Sequence, residues 1–514
     1  MPHGFPAPPR SSKTRKIRPP PPDAFFFANP ARLFAKSGLE ISAKMKIYFI
    51  GICGTATGNV AILMKRLGHS VCGSDTGMYE PMKSALANAH VDAREGWNPK
   101  NLEDFAPDLV VVGNAISRMN PELEFMLAAR KYRYTSLSAL IGENLIGDRK
   151  SLVVSGTHGK TTTTCLAAFL LRANGVDAGW LIGGVPTDLA EGGSNLGSTD
   201  APFAIEGDEY DTAYFDKRSK FIHYRPFVLL VNNIEFDHAD IFRDLYDVKR
   251  TFSHVRRIVS PLGAIVENGD DPNIASLEDT PWTKRIKVGF GENCDVRIKD
   301  FRQAADSSSF SLVCGGIEKR VEWNLQGEYN ARNAAMAAVG AALVRGGANP
   351  LDIDLSPLAK FKGVKRRQET ILKTEKILAV EDFGHHPTAI RLTIESMRQK
   401  YPDAKLYAAF EPRSNTAKMN VFQDAFGEAL ELADAAYIGH ANTAKTDPAR
   451  RIDTAEMAAT HNPKKLHAFD SNQALLEKLS ADISAESGKS VCVFFSNGSF
   501  DGIHKKFAER FANA

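Results

Sequence analysis

Apolar runs of three to five residues recur along the 514-residue chain, and most lead straight into a polar turn bearing glycine, asparagine or an acidic residue. The stretches 46–50, 69–72, 109–112, 151–154, 203–205, 227–231, 377–380, 406–410 and 491–495 are of this kind. Short continuous runs bounded by turn residues predict the buried strands of parallel sheets. Helical spacing follows the glycine turn at 51–58 through Leu67, and returns in an alanine-rich segment 327–345 and at 389–400, 425–432 and 503–511. Strands alternating with helices predict an α/β fold whose ligands gather beyond the C-terminal ends of the strands. The chain is too long for one core. The pattern divides it into 45–148, 149–363 and 364–514, which share architecture without any internal sequence repeat.

The polar turns carry the chemistry. Strand 151–154 enters Gly156-Thr157-His158-Gly159-Lys160-Thr161-Thr162, and a helix-compatible stretch leaves it. A strand–loop–helix junction of this kind points backbone N–H groups at one spot, at the positive end of a helix dipole, which suits the phosphates of ATP or GTP. Lys160 can bear on the β/γ-phosphates, and the hydroxyl of Thr161 is a natural Mg²⁺ ligand. The match to the phosphate-loop pattern is shortened, because Val154 stands where a first glycine is usual. Strand 203–205 leads into the acidic run Glu206-Gly207-Asp208-Glu209-Tyr210-Asp211, and strand 227–231 leads toward Asp237-His238. Carboxylates and a histidine at strand ends facing a phosphate loop are a magnesium-binding pattern, with a solvated turn the lesser alternative for the acidic run.

Strand 46–50 runs into a glycine turn with Gly51, Gly54, Thr55 and Gly58, and the next strand ends at Gly73-Ser74-Asp75. This is a βαβ nucleotide-binding opening in which an acidic residue about 20 positions on can hold a sugar or base; packing alone also produces such turns. Asn114 lies in the polar loop after strand 109–112. In the last third, Glu381-Asp382-Phe383-Gly384-His385-His386-Pro387, Glu411-Pro412-Arg413-Ser414-Asn415-Thr416 and Ser496-Asn497-Gly498 all follow strands, which predicts one binding edge.

Charge and cysteine usage narrow the class. The formal net charge is +3, but residues 1–44 hold eight Lys/Arg against two Asp/Glu, so the remainder carries −3. The body has no bias toward nucleic acid or membrane, and neither is expected as a partner. Residues 1–44, rich in proline and basic residues, read as a disordered extension ahead of Met45. Six scattered cysteines without a C-x-x-C pair predict reduced thiols in a cytoplasmic protein. No run of about 18 apolar residues exists to span a bilayer.

Taken together, these motifs resemble the Mur ligase family, the ATP-dependent enzymes that build the peptide of bacterial peptidoglycan precursors. The resemblance runs from Met45 onward through seven motifs in order. They are Gly51-x-x-Gly54, Gly73-Ser74-Asp75, Ala115-Ile116-Ser117 with Asn120-Pro121-Glu122, the loop 156–163, Glu206-x-Asp208-Glu209-x-Asp211, Asn233-x-Glu235-x-Asp237-His238 and 382–387. It implies a three-domain architecture: a Rossmann-like UDP-sugar domain, a central ATPase-like domain and a Rossmann-like peptide-binding domain. Gly-Thr-His-Gly-Lys and Gly-His-His-Pro resemble the branch that uses UDP-N-acetylmuramate as acyl donor. The Phe410-Glu411-Pro412-Arg413-Ser414-Asn415-Thr416 stretch resembles the members that attach recycled L-alanyl-γ-D-glutamyl-meso-diaminopimelate rather than L-alanine.

The resemblance implies catalytic roles for Lys160, Glu206, His238 and Arg367, with Arg366 the other choice for the last. ATP would meet Gly156, Thr157, His158, Gly159, Lys160, Thr161, Thr162, Asn330, Arg367 and Asp382, and Mg²⁺ would meet Thr161, Glu206 and His238. The UDP-sugar would meet Gly51, Gly54, Thr55, Gly58, Ser74, Asp75 and Asn114. The peptide would meet His385, His386, Arg413 and Asn415. Small-molecule substrates, a bacterial cytoplasmic setting and a monomer or weak homodimer complete the expectation. Alternatives are the alanine-adding ligase and a nucleotide-binding regulator. Gly207 departs from the alanine usual in the family, and no lysine is assigned to the carbamylated position of some members.

Overall fold

The computed structural model describes residues 44–304 and 306–512. The expected extension 1–44 therefore lies, Lys44 apart, outside the described residues. From Met45 onward the chain forms one unit built on three main sheets, the α/β class the alternation predicts.

The first sheet is five-stranded and wholly parallel, in the order Asp92–Glu95, Ser70–Asp75, Lys46–Ile50, Leu109–Val112, Tyr134–Ser136. The chain starts in the middle strand and builds outward in both directions. Its switch point thus opens beyond Ile50 and Val112, where Gly51 and Asn114 stand.

The middle sheet has ten strands, and Ser151–Ser155 lies between Phe203–Gly207 and Val228–Val231. The register pairs Val154 with Glu206 and Ser155 with both Gly207 and Val231. Parallel pairing therefore delivers the loop after Ser155, the acidic run after Ile205 and the turn after Val231 to one edge. The sheet continues through Ala264–Asn268, Lys284–Gly289 and the antiparallel meander Val296–Gln303, Ser308–Cys314 and Ile317–Trp323, which the apolar pattern does not single out. Val296–Gln303 and Ile317–Trp323 mix buried and exposed positions, and serines interrupt the buried Ser308–Cys314, so no continuous apolar run marks them. Helix Lys160–Ala173 packs on the largely buried, alanine-rich helix Glu328–Val344, whose small side chains let it lie close to the sheet.

The third sheet has six strands, with Ile377–Asp382, Ser490–Phe495 and Lys405–Phe410 adjacent and parallel. Asp382 and Phe410 both sit opposite Phe495, so the three polar loops leave at the same level.

One apolar cluster is continuous from the first sheet into one face of the middle sheet, through residues such as Ile47, Leu140, Val153, Phe221 and Leu229. The third sheet carries two clusters of its own. Its junction with the middle sheet is largely polar. Among the described residues no helix is long and apolar enough to cross a membrane.

Candidate active site

The C-terminal edges of the three sheets enclose a cavity of about 1620 Å³. At its centre the chain turns sharply after Ser155. Gly156 has φ +133° and Gly159 φ +79°, conformations that disfavour a side chain. A Cβ on Gly159 would also stand 2.6 Å from Asn333 Oδ1. The loop is tied to the neighbouring turn: Asn233 Oδ1 accepts from the His158 N–H at 2.7 Å, and the Thr157 N–H donates to Asn233 O at 3.1 Å.

Lys160 Nζ donates to Gly156 O at 2.7 Å and to Glu209 Oε2 at 2.9 Å. Burial works against its charge, but Glu209 and Asp208 outweigh burial and hold the ammonium above its ordinary range. The Thr161 hydroxyl donates to Glu206 Oε2 at 3.2 Å, and the Gly183 N–H donates to Glu206 Oε1 at 2.6 Å. Burial raises the Glu206 carboxyl despite the Gly183 amide and the Arg367 charge. Its neighbour Gly207 is packed tightly, since a Cβ there would stand 2.7 Å from Val153 Cγ1.

Arg367 reaches over from the start of the third segment. Its guanidinium lies 4.7 Å from the Phe383 ring centroid, and Nη2 is 3.4 Å from Thr161 Oγ1. Burial lowers its pKa, opposed by Asp382 and Glu206. Arg366 is committed elsewhere: it pairs with Glu381 and donates to Ser496 O at 2.9 Å. Of the two arginines, the geometry thus brings Arg367 to the phosphate loop. Asp382 accepts from the Gly384 N–H at 2.7 Å and the Gln368 N–H at 3.0 Å while facing Arg367. Asn330 is buried on the cavity wall, its amide donating to Gln326 O at 2.8 Å.

The expected metal set does not stay together. Thr161 and Glu206 meet directly, but His238 pairs with Glu209, Nε2 to Oε1 at 3.4 Å. Asp208, Glu209 and His238 offer ligand atoms within 4.8 Å of one another. The turn at His238, with φ +55°, brings the ring back toward the acidic run. Burial opposes the imidazolium, yet the Glu209 carboxylate raises the His238 pKa. Lys220 Nζ holds Asp208 Oδ2 at 2.7 Å. Two groups of donors flanking the phosphate loop fit divalent cations: the oxygens of Thr161 and Glu206 in one, and the carboxylates of Asp208 and Glu209 with the imidazole nitrogen of His238 in the other. The sequence assigns no role to Asp208, Glu209 or Lys220, although the acidic run points to the first two.

At the first sheet's switch point, Gly51, Gly54, Thr55, Asp75 and Asn114 line the cavity. Asp75 Oδ2 accepts from the Cys53 N–H at 2.9 Å, which closes the glycine turn. Two expectations fail here. Ser74 is fully buried, with its hydroxyl donating to Glu122 Oε2 at 2.5 Å beneath the sheet. Gly58 lies inside helix Thr55–Arg66, where a Cβ would collide with Met82, so it serves packing.

In the third segment His385 and His386 reach the cavity wall, whereas Arg413 and Asn415 are not part of it. Arg413 lies across Gly498 with Nη1 3.7 Å from Glu411 Oε1, and Asn415 Nδ2 donates to Asp240 Oδ2 at 2.8 Å. Desolvation pushes both histidines from the usual 6.5 down to about 4. An unfolded chain would therefore bind more protons than the folded one between pH 6.5 and 4. Stability should fall as pH drops through that window, by about 1–3 kcal/mol per ring. Melting curves from pH 7.5 to 4.5 should show the decline, and His385→Asn should flatten it; equal slopes would contradict the assignment.

Three family profiles cover this architecture. Residues 46–145 match "Mur ligase family, catalytic domain", 154–342 match "Mur ligase middle domain" and 366–497 match "Mur ligase, glutamate ligase domain". A Haemophilus influenzae protein named UDP-N-acetylmuramate–L-alanyl-γ-D-glutamyl-meso-2,6-diaminoheptandioate ligase is 37% identical over 469 residues, spanning 90% of this chain and 98% of its own. The Escherichia coli protein of the same name is 36% identical over 471 residues, spanning 91% and 98%. A UDP-N-acetylmuramate–L-alanine ligase of Kineococcus radiotolerans is 32% identical over 423 residues, spanning 80% and 85%. Among solved structures, a murein peptide ligase of Psychrobacter arcticus superposes with a TM-score of 0.66 at 33% identity, covering 91% of this chain and 99% of the other. The UDP-N-acetylmuramate–alanine ligase of Thermotoga maritima reaches 0.70 at 22% identity with the same coverage, a likeness of fold alone.

Proposed function

The chain belongs to the Mur ligase family, and on that footing we propose that it joins L-alanyl-γ-D-glutamyl-meso-diaminopimelate to UDP-N-acetylmuramate. The bond is an amide, formed at the expense of ATP, and the setting is peptidoglycan recycling in a bacterial cytoplasm. The carrying observation is the pair of tripeptide-ligase relatives matched over 98% of their length. We take 45–148, 149–363 and 364–514 as its UDP-sugar, ATP and peptide domains.

The lactyl carboxylate of UDP-N-acetylmuramate attacks the γ-phosphorus of ATP and expels ADP; the α-amine of the tripeptide then attacks the acyl carbon of the resulting acyl phosphate, loses a proton and expels phosphate as the amide forms. Two anions must meet, so charge neutralisation dominates the barrier. Lys160 leaves its Glu209 and Gly156 partners to take the β/γ-phosphates. Arg367, held over Phe383 beside Thr161, takes charge developing on the transferred group. Mg²⁺, when bound by Thr161 and Glu206 and by the Asp208, Glu209 and His238 group, supplies the remaining charge neutralisation. Gly51, Thr55, Asp75 and Asn114 receive the UDP-sugar at the switch point, and His385 faces the incoming peptide.

The test supplies the full-length protein with ATP, Mg²⁺ and UDP-N-acetylmuramate, and compares phosphate release with the tripeptide and with L-alanine. Tripeptide should be preferred. Faster turnover with alanine would make it the synthetic ligase instead, and ATP binding without amine-dependent release would make it a regulator.

A further inference from the structure

Glu235 has no part in the reaction described above, yet it sits where two domains meet. Its backbone N–H donates to Thr157 Oγ1 at 2.9 Å, and its carbonyl accepts from the same hydroxyl at 3.3 Å. Its carboxylate Oε2 accepts from the Thr388 hydroxyl at 2.6 Å, lies 3.2 Å from His158 Nε2 and lies 3.5 Å from His386 Nδ1. The rings of His158 and His386 are 4.6 Å apart between centroids. One residue thus touches two positions of the phosphate loop and two at the N-terminus of helix Pro387–Lys400 in the C-terminal domain.

The surrounding seam gives this contact leverage. The first two domains share an apolar cluster, while the C-terminal domain has separate ones. Contacts across the seam include single polar bonds, such as His386 Nε2 with Phe236 O at 3.1 Å and the Ala239 N–H with Thr416 Oγ1 at 3.2 Å, beside one aromatic pair, Phe236 and Phe422, 5.9 Å between centroids. Domains joined this way move relative to one another by default. The same trio also offers ligand atoms to a transition metal. His386 argues against that use. A carbonyl only accepts, so Nε2 carries the proton toward Phe236 O, and Nδ1 accepts from the Thr388 N–H at 3.3 Å. Neither ring nitrogen is free for an ion.

We propose that Glu235 is a positioning residue that latches the C-terminal domain onto the phosphate loop, so that Arg367 and His385 reach the reacting groups only when that loop is ordered. The inference rests on the ligase activity proposed above. Burial opposes its charge, but His158 and Thr388 hold the carboxyl down at about 2, so the acceptor stays ionised.

Three variants of the full-length protein test it: Glu235→Ala, Glu235→Gln and Thr388→Val. The last removes the hydroxyl bond that the C-terminal domain gives to the latch and leaves the phosphate loop untouched. Thr388→Val should keep the ATP dissociation constant within about twofold while kcat falls about tenfold or more, the scale set by misplacing a catalytic group. Small-angle scattering should show less compaction with ATP, Mg²⁺ and UDP-N-acetylmuramate than wild type. Glu235→Ala should show both losses, and Glu235→Gln, which keeps an acceptor for the hydroxyl, should recover part of the compaction. Wild-type kcat and compaction in Thr388→Val and Glu235→Ala would overturn the proposal. So would weaker ATP binding in Glu235→Ala with a silent Thr388→Val, or stoichiometric zinc in the purified wild type that Glu235→Ala loses. If wild type itself released no phosphate with either amine, the parent reading would fail, while compaction would still report on the latch.

Discussion

Glu206→Ala should lower tripeptide-dependent ADP formation by at least about a thousandfold, the scale seen when a preorganised charge at a reacting centre is lost. The carboxylate is held from two sides, by the Gly183 N–H at 2.6 Å and the Thr161 hydroxyl at 3.2 Å. It is half-buried, and desolvation raises its pKa, so the folded chain keeps it against its own solvation preference. Such a group is retained for chemistry rather than stability. Glu206→Gln should therefore melt no lower than wild type while being equally inactive, because the amide oxygen accepts from the Gly183 N–H and the amide N–H can donate to the Thr161 hydroxyl oxygen, but the group brings no charge to a cation. A coupled ADP assay and a thermal melt on the same preparations check both halves. Turnover above a tenth of wild type in either variant would remove Glu206 from the reaction.

Arg367→Lys should cost about a hundredfold in kcat, with a smaller change in the KM for ATP, because a point charge does not replace a planar fork stacked on a ring. The guanidinium lies over Phe383 at 4.7 Å and approaches Thr161 within 3.4 Å. Arg366→Lys provides the contrast. Arg366 is bound to Glu381 and to Ser496 O, so its replacement should lower the melting temperature more than kcat. Steady-state kinetics and melts of the two variants separate the roles. Equal kcat losses at both positions would mean that the region acts through folding alone.

The elements nearest the chemistry were the most legible in the chain. Strands 46–50, 109–112, 151–154, 227–231, 377–380, 406–410 and 491–495 are buried on both faces, so each is written as a continuous apolar run. Of the outer strands, Val296–Gln303 and Ile317–Trp323 mix buried with exposed positions, and serines interrupt the buried Ser308–Cys314, so no apolar run marked them. Thr161 and Glu206 were read together from the phosphate loop and the acidic run. Parallel register places them together, 45 residues apart in sequence. Ser74 and Gly58 were misread because a glycine-rich turn looks alike whether a ligand or Met82 and Glu122 lies behind it.

Local sequence determined which residue types stand at strand ends, since strand, turn and helix each follow from spacing over a few neighbours. It therefore determined the α/β class, the phosphate loop and the acidic runs. Which side chains face one another was decided only in three dimensions. His238 went to Glu209, Arg367 rather than Arg366 reached Thr161, and Glu235 came to lie between His158 and Thr388. Those choices depend on strand order, on a backbone turn at His238 and on the docking of a domain across a polar seam. Each involves partners up to some 200 residues apart, which no local pattern encodes.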